Sequence, residues 1–135
     1  MRSPRQVVDY ALRRRACVAD VRAGRTAPTE ACDAGTYLLQ AASYHGRATT
    51  TPCPLCESGD VVHVSWVFGE RLGAASGSAR SADEIARYAE VLDEFTVHVV
   101  EVCRVCRWNH LVQSFVLGTD DASGGRRGRR RTAST

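Results

Sequence analysis

The chain has 135 residues, enough for one compact domain with short appendages. Its formal net charge of +3 is unevenly distributed, because five arginines within residues 126–131 carry +5 and leave residues 1–125 near −2. This charge pattern excludes a broadly basic, polyanion-binding surface on the main part of the chain.

The sequence has neither a secretory signal nor an apolar run of the ~20 residues that cross a bilayer. We therefore expect a soluble, cytoplasmic protein with no membrane partner. In that reducing compartment, paired cysteines bind metal ions or carry out redox chemistry and do not form structural disulfides.

The N-terminal third of the chain predicts helices. The pattern of residues 3–23 predicts the first helix. Ser3 and Gln6 would form a capping box at its N-terminus. Residues 36–45 predict another, and a short helical stretch lies between the two. This order resembles a helix-turn-helix, but the last helix has no arginine and few side chains that can read bases. We therefore interpret residues 1–47 as a helical packing segment of two to three helices.

The middle of the chain predicts a strand, a loop and a helix. Residues 61–68 predict a half-buried strand, because alternate positions are apolar or aromatic. Residues 73–80 are rich in glycine and serine, which indicates a flexible loop. Residues 81–92 begin with a Ser-x-x-Glu capping box and predict a helix.

Two further predicted strands, residues 95–102 and 108–117, flank a Cys-x-x-Cys pair, as in a zinc ribbon. We therefore expect an α+β fold, with the helical segment packed on a small antiparallel zinc-ribbon-type sheet that has one inserted helix. The ribbon-like domain would cover residues 48–118. Residues 119–135 have almost no apolar content and predict a disordered, arginine-rich tail.

Two Cys-x-x-Cys pairs, 46 residues apart, are the strongest motif in the sequence. Their members are Cys53, Cys56, Cys103 and Cys106. Four thiolates complete the tetrahedral shell of a structural Zn²⁺, and the entropic cost of closing the intervening loop grows slowly with its length. Arg104 and Arg107 would offset the −2 charge of such a site. In most ribbons a glycine follows the second cysteine of each pair, but here Glu57 and Arg107 stand there.

Other cysteines and histidines have simpler interpretations. Cys17 and Cys32 have no Cys-x-x-Cys partner and predict small buried residues, because the two pairs already complete a tetrahedron. His110, four residues beyond Cys106, could replace a cysteine ligand or line a site, but we interpret it as a packed or exposed strand residue. His63 and His98 are expected to face each other across the sheet in a structural role.

The sequence resembles a family of short actinobacterial proteins catalogued as a domain of unknown function. The resemblance covers residues 1–118. Its blocks are RSPRQVVDYALRRR (2–15), CDAGTYLLQAASYHG (32–46), TPCPLC (51–56), HVSWVFGE (63–70) and EVCRVCRWNHLVQSFVLG (101–118). The resemblance implies a cytoplasmic actinobacterial protein and supports the four paired cysteines as zinc ligands, without implying an activity.

No catalytic motif accompanies the cysteines, and four thiolates leave zinc no open position for water, so we do not expect an enzyme. The first hypothesis is a structural-zinc adaptor that docks on a protein or nucleoprotein assembly of transcription or translation. A thiol–zinc redox switch is an alternative, in which neighbouring arginines lower the pKa of Cys103 and Cys106 and the two thiols oxidise with release of zinc.

The C-terminal arginines suggest a second alternative, which is weak and non-specific binding of RNA or DNA. The residues that would contact phosphates are Arg126, Arg127, Arg129, Arg130 and Arg131. Five guanidinium groups provide at most about five phosphate contacts, so this binding would weaken steeply with salt.

Overall fold

The structure, a computed structural model, describes residues 4–119 and has an α+β fold. The strands are β1 (Arg5–Asp9), β2 (Arg47–Pro52), β3 (Asp60–Phe68), β4 (Ser78–Arg80), β5 (Phe95–Val102) and β6 (Asn109–Leu117). The α-helices are α1 (Ala11–Arg22), α2 (Pro28–Ala31), α3 (Thr36–His45) and α4 (Ala82–Val91), and a 3-10 helix covers Glu70–Ala75. None of the helices described is long and apolar enough to span a bilayer.

All six strands belong to one antiparallel sheet. Its order is β1-β6-β5-β3-β2, and β4 pairs with β3 beside this path. The predicted hairpin of β5 and β6 is confirmed, and the second Cys-x-x-Cys pair lies at its tip. Strand β1, from the N-terminal segment, forms an edge of the sheet by pairing with β6.

Helices cover both faces of the sheet. On one face, Ile85 and Ala89 of α4 pack with Phe95 and Val97. On the other face, Ala41 and Ala42 of α3 belong to a cluster with the sheet residue Val64. Because successive side chains of a strand point to opposite faces, the two clusters use alternate positions of the same strands.

Strand β3 is buried on both faces rather than half-buried. Val61, Val64 and Val67 all have 0% exposure, although Val64 points to the opposite face from the other two. The strand itself is confirmed, but the prediction that one of its faces is exposed to solvent is wrong. The sequence shows the alternation, but the second helical layer buries the face that was expected to contact water.

Helix α1 begins later than the sequence predicts. The prediction of a helix over residues 3–23 is wrong for residues 5–9, which form β1 and pair with β6. Gln6 has φ 52, a left-handed conformation that does not occur within a right-handed helix. Pairing along β6 satisfies backbone groups of this segment and overrides its helical pattern. The observed start has an Asp9 carboxylate that accepts a hydrogen bond from the Ala11 amide at 2.8 Å.

The glycine- and serine-rich stretch is more ordered than predicted. The loop predicted over residues 73–80 is wrong at its end, where Ser78–Arg80 forms β4 and Ala79 lies opposite Trp66. Ala79 is buried there. The pairing with β3 supplies an ordering interaction that the local composition does not show.

The start of α4 is confirmed at the level of its hydrogen bonds. The Ser81 hydroxyl accepts from the Glu84 amide at 3.2 Å, and the Glu84 carboxylate accepts from the Ser81 amide at 3.0 Å. This reciprocal capping fixes the beginning of the helix, so that Ile85 and Ala89 face the sheet.

A buried carboxylate joins α1 to the sheet. Glu101 is 3% exposed, and its Oε2 atom accepts hydrogen bonds from Arg14 Nε at 2.8 Å and Trp108 Nε1 at 2.6 Å. A buried charge is stable only when paired and hydrogen-bonded. This requirement fixes the position of α1 and of Trp108, which is itself fully buried.

We expect Arg14→Ala to lower the free energy of unfolding by about 3 kcal/mol, because it leaves the Glu101 carboxylate buried without its cation. Arg15→Ala is the matched control, since Arg15 is exposed on the same helix, and it should change stability by less than about 0.5 kcal/mol. Urea unfolding of the full-length protein measures both. Equal losses in the two variants would contradict a role for the Arg14–Glu101 pair.

Candidate metal centre

Four sulfur atoms meet at one end of the sheet. Their residues, Cys53, Cys56, Cys103 and Cys106, have Sγ atoms that all lie within 4.8 Å of one another. Two of these distances connect one cysteine pair with the other. Cys53 Sγ lies 3.7 Å from Cys106 Sγ, and Cys56 Sγ lies 3.6 Å from Cys103 Sγ. The first pair precedes β3 and the second follows β5. They meet because Val62, near the start of β3, pairs with Val102, the last residue of β5.

The two cysteine pairs have the same local fold. In each pair, the carbonyl of the first cysteine accepts a hydrogen bond from the backbone amide four residues later. The Glu57 amide donates to the Cys53 carbonyl at 3.2 Å, and the Arg107 amide donates to the Cys103 carbonyl at 2.9 Å. Further amides point at sulfur. They are those of Leu55 to Cys53 Sγ (3.4 Å), Ser58 to Cys56 Sγ (3.4 Å) and Cys106 to Cys103 Sγ (3.5 Å). Amide donors of this kind orient thiolate ligands and stabilise their charge.

Glu57 and Arg107 adopt the conformation that glycine would have at the same place. Their φ angles are 56° and 75°, in the left-handed region that glycine occupies without a steric cost. The departure from the usual glycine in the sequence therefore does not change the backbone of the turn. Because these two residues carry a Cβ atom, their left-handed backbone conformation is strained, and the surrounding contacts must maintain it.

The sulfur positions fit a tetrahedral metal ion. A tetrahedron with Zn–S bonds of about 2.3 Å has S–S edges of about 3.8 Å, close to the two separations observed. A disulfide requires an S–S distance of about 2.0 Å, so these sulfurs are arranged as ligands rather than as bridges. An all-sulfur tetrahedral set is typical of zinc or iron.

Burial and hydrogen bonding act in opposite directions on the thiols. Burial raises the pKa of Cys103 and of Cys106, whereas a hydrogen bond from the Ser58 amide lowers the pKa of Cys56 to about 7. The expectation that neighbouring arginines lower the pKa of Cys103 and Cys106 is wrong in direction, because burial of the two thiols raises both pKa values. A metal ion must displace protons from both thiols, so its affinity should fall as the pH falls.

Arginine side chains connect the cysteine turns to the N-terminal segment. They donate hydrogen bonds from Arg22 Nη2 to the Pro54 carbonyl (2.6 Å), from Arg104 Nη1 to Ser43 Oγ (3.2 Å) and from Arg107 Nη1 to the Ala34 carbonyl (3.5 Å). Arg104 and Arg107 were expected to act through their charge. Their contacts show that they also hold α3 and the segment after α2 against the site.

The two remaining cysteines lie in the same hydrophobic cluster as the four. Cys17 and Cys32 pack against it but are partly exposed, so they are half-buried rather than buried as predicted. Cys32 Sγ lies 3.6 Å from Cys106 Sγ. Sequence spacing could not identify this contact, because Cys32 reaches the site through the position of α2 rather than through a Cys-x-x-Cys turn.

The histidines lie outside the group of four thiols. His110 Nδ1 is 2.7 Å from the Leu111 carbonyl, and its ring stacks on Trp108 with ring centroids 5.8 Å apart. The expectation that His63 and His98 face each other is wrong. They pair with Glu101 and Trp66, respectively, and point to opposite faces of the sheet. Burial lowers the pKa of His63, and Arg47 adds to this effect.

Some predicted features lie outside the described residues. They are the helix cap at Ser3, the disordered tail predicted over residues 119–135, of which only Thr119 is described, and the phosphate-contacting arginines of that tail, Arg126, Arg127, Arg129, Arg130 and Arg131.

The fold and the thiol group define a small α+β protein with a candidate four-cysteine metal centre. The chain belongs to a family described as "Family of unknown function (DUF5318)", whose sequence pattern matches residues 1–132. The predicted family resemblance is therefore confirmed. Uncharacterized proteins of Mycobacterium bovis and of two Mycobacterium tuberculosis strains are each 57% identical to it over 111 residues, which is 82% of this chain and 81% of each relative. No solved structure matches this chain.

We expect Glu57→Gly to raise the free energy of unfolding by up to about 1 kcal/mol, because glycine relieves the left-handed strain at this turn. Glu90→Gly is a control of opposite sign, since Glu90 is exposed within α4 and glycine there should cost about 1 kcal/mol. Thermal unfolding of the metal-loaded, full-length variants compares them. Destabilisation by both substitutions would contradict the proposed strain at Glu57.

Proposed function

We propose that this protein binds one structural Zn²⁺ through Cys53, Cys56, Cys103 and Cys106. The observation that carries the proposal is the approach of two distant cysteine pairs to sulfur–sulfur distances of 3.6 and 3.7 Å, as a zinc tetrahedron requires. The tip of the β5–β6 hairpin and the turn before β3 would form the two halves of a zinc-ribbon-type site.

The surroundings of the thiols support a structural role. Cys53 and Cys103 have no exposed surface, and they belong to a hydrophobic cluster with Val18, Val61 and Trp108. Four protein ligands fill a tetrahedral shell and leave no position for a reacting water. A zinc ion there would join the ends of β3 and β5 to α1 through the shared cluster, and it would reinforce the limited core of a small protein.

We expect the purified protein to contain one zinc per chain. Cys53→Ser should lower both the zinc content and the midpoint of thermal unfolding, because a buried ligand is lost and folding is coupled to metal binding. Cys17→Ser is the matched control, since Cys17 packs against the same cluster but is not one of the four thiols. Elemental analysis and thermal unfolding, with and without a chelator, provide the measurements.

The result that contradicts the zinc proposal is full stability in the presence of chelator, together with less than stoichiometric metal. A similar loss of zinc in Cys17→Ser and Cys53→Ser would also contradict it, because the effect would then not depend on the four-thiol geometry.

We also propose that the zinc-stabilised domain acts as an adaptor that docks on a transcription or translation assembly. A closed metal site supports a binding role over a catalytic one. Helix α3 presents Tyr37 and Tyr44 with 66% and 82% exposure, and exposed aromatic side chains are enriched at protein interfaces. The C-terminal arginines would add non-specific attraction to RNA or DNA, which is the alternative function.

For the adaptor, we expect the full chain to co-purify with subunits of the ribosome or of RNA polymerase from nuclease-treated extract. A chain that ends at Gly118 is the control and should keep the same subunits, because direct docking does not depend on the tail. If nuclease or the truncation removes them, the tail tethers the protein through nucleic acid and the adaptor proposal fails.

A further inference from the structure

A fifth thiol touches the group of four. Cys32 Sγ lies 3.6 Å from Cys106 Sγ, the same separation as that between Cys56 and Cys103 within the group. Cys32 is not one of the four sulfurs that are mutually within 4.8 Å. It therefore lies just outside the proposed tetrahedron, beside a single one of its corners.

The position of Cys32 is fixed by contacts on both sides of it. At its N-terminal side, the Cys32 amide donates to the Pro28 carbonyl at 2.8 Å and closes α2. At its C-terminal side, the next two residues bind the second cysteine turn. These bonds run from the Ala34 amide to the Arg107 carbonyl (3.0 Å), from Arg107 Nη1 to the Ala34 carbonyl (3.5 Å) and from Asn109 Nδ2 to Asp33 Oδ1 (2.8 Å). The contact between Cys32 and Cys106 is therefore built into the fold.

Cys106 is also the more accessible cysteine of its pair. It is partly exposed, as is Cys56, whereas Cys53 and Cys103 have no exposed surface. Among the described residues, Cys32 therefore contacts a cysteine of the group, Cys106, that solvent can reach. A thiol held in this place can donate a hydrogen bond to a bound thiolate, and it can also replace it.

We propose that Cys32 is a reserve ligand that takes the place of Cys106 in the metal centre. This inference rests on the proposed zinc site. In the exchange, the Cys32 thiol gives its proton to the Cys106 sulfur, the bond from Cys106 to the metal breaks, and a bond from Cys32 to the metal forms. The centre keeps four thiolates and the same charge, and no oxidant or reductant is required.

The exchange would protect the centre at its accessible corner. An electrophile that modifies Cys106 removes one ligand from an ordinary four-cysteine site, and the ion then lacks a protein sulfur. With Cys32 in reserve, the site keeps four sulfurs after the same modification. Cys17 packs against the same cluster, but no contact between its sulfur and the four thiols is found among the described residues.

Cobalt is a suitable probe, because its thiolate charge-transfer absorption increases with the number of bound sulfurs. Anaerobic Co²⁺ titration of the full-length chain should give a four-sulfur spectrum for the wild type and for Cys106→Ser. In Cys32→Ser/Cys106→Ser the absorption should fall by about one quarter, as expected for three of the four sulfurs of a complete shell. Cys17→Ser/Cys106→Ser is the matched control and should keep the four-sulfur spectrum.

The outcomes separate the two proposals. A wild-type chain that binds neither Co²⁺ nor Zn²⁺ overturns the zinc site itself. A wild-type chain with four sulfurs and a Cys106→Ser variant with three overturns the reserve ligand and leaves the zinc site intact. Loss of the fourth sulfur in Cys17→Ser/Cys106→Ser, with four sulfurs retained in Cys32→Ser/Cys106→Ser, would assign the rescue to Cys17 and overturn the role of Cys32.

A measurement on the wild type avoids any folding defect of the variants. Zinc-loaded protein is treated with one equivalent of iodoacetamide and analysed by native and peptide mass spectrometry. We expect singly alkylated chains that carry the label on either Cys32 or Cys106 and still retain zinc. Loss of zinc from every chain labelled at Cys106 would overturn the proposal.

Discussion

The meeting of two cysteine pairs at one end of a sheet is the constraint on which the rest of the structure depends. The turn before β3 and the turn after β5 are separated by 46 residues in sequence, yet their sulfurs approach to 3.6 and 3.7 Å. The antiparallel pairing of β3 with β5 places the two turns side by side. The hydrophobic cluster that includes these cysteines also contains residues of α1 and α2, so the proposed zinc ion would couple the sheet to the N-terminal helices.

Polar contacts around this end of the sheet complement the thiols. The Glu101 carboxylate, buried next to the second cysteine turn in sequence, fixes Arg14 of α1 and the indole of Trp108. Arg107 and Asn109 fix the segment after α2, and this segment brings Cys32 to Cys106. A site that begins as two local turns thereby gains partners from α1, from α2 and from the segment that follows α2. Their contribution is to orient the thiols and to limit which of them solvent reaches.

Much of the local structure could be predicted from the sequence, because its causes lie within a few residues. The capping box of Ser81 and Glu84 begins α4 as predicted, and the apolar strands on either side of the second cysteine pair form the expected hairpin. Errors occur where distant pairing decides the outcome. Residues 5–9 have a helical pattern but form a strand that pairs with β6. Residues 78–80 have a loop composition but form a strand that pairs with β3. Backbone hydrogen bonds to another strand outweigh these weak local preferences.

The sequence by itself determined the chemistry of the candidate site, since the spacing within each Cys-x-x-Cys pair is a local property of a short turn. It also determined family membership, the α+β class and the presence of four thiols suited to one ion. Only the tertiary structure decided that the two pairs converge, that burial raises the pKa of Cys103 and Cys106, and that Cys32 lies beside Cys106. These features depend on strand register, on desolvation by helices from elsewhere in the chain and on the placement of α2. Spacing along the sequence does not encode any of the three directly.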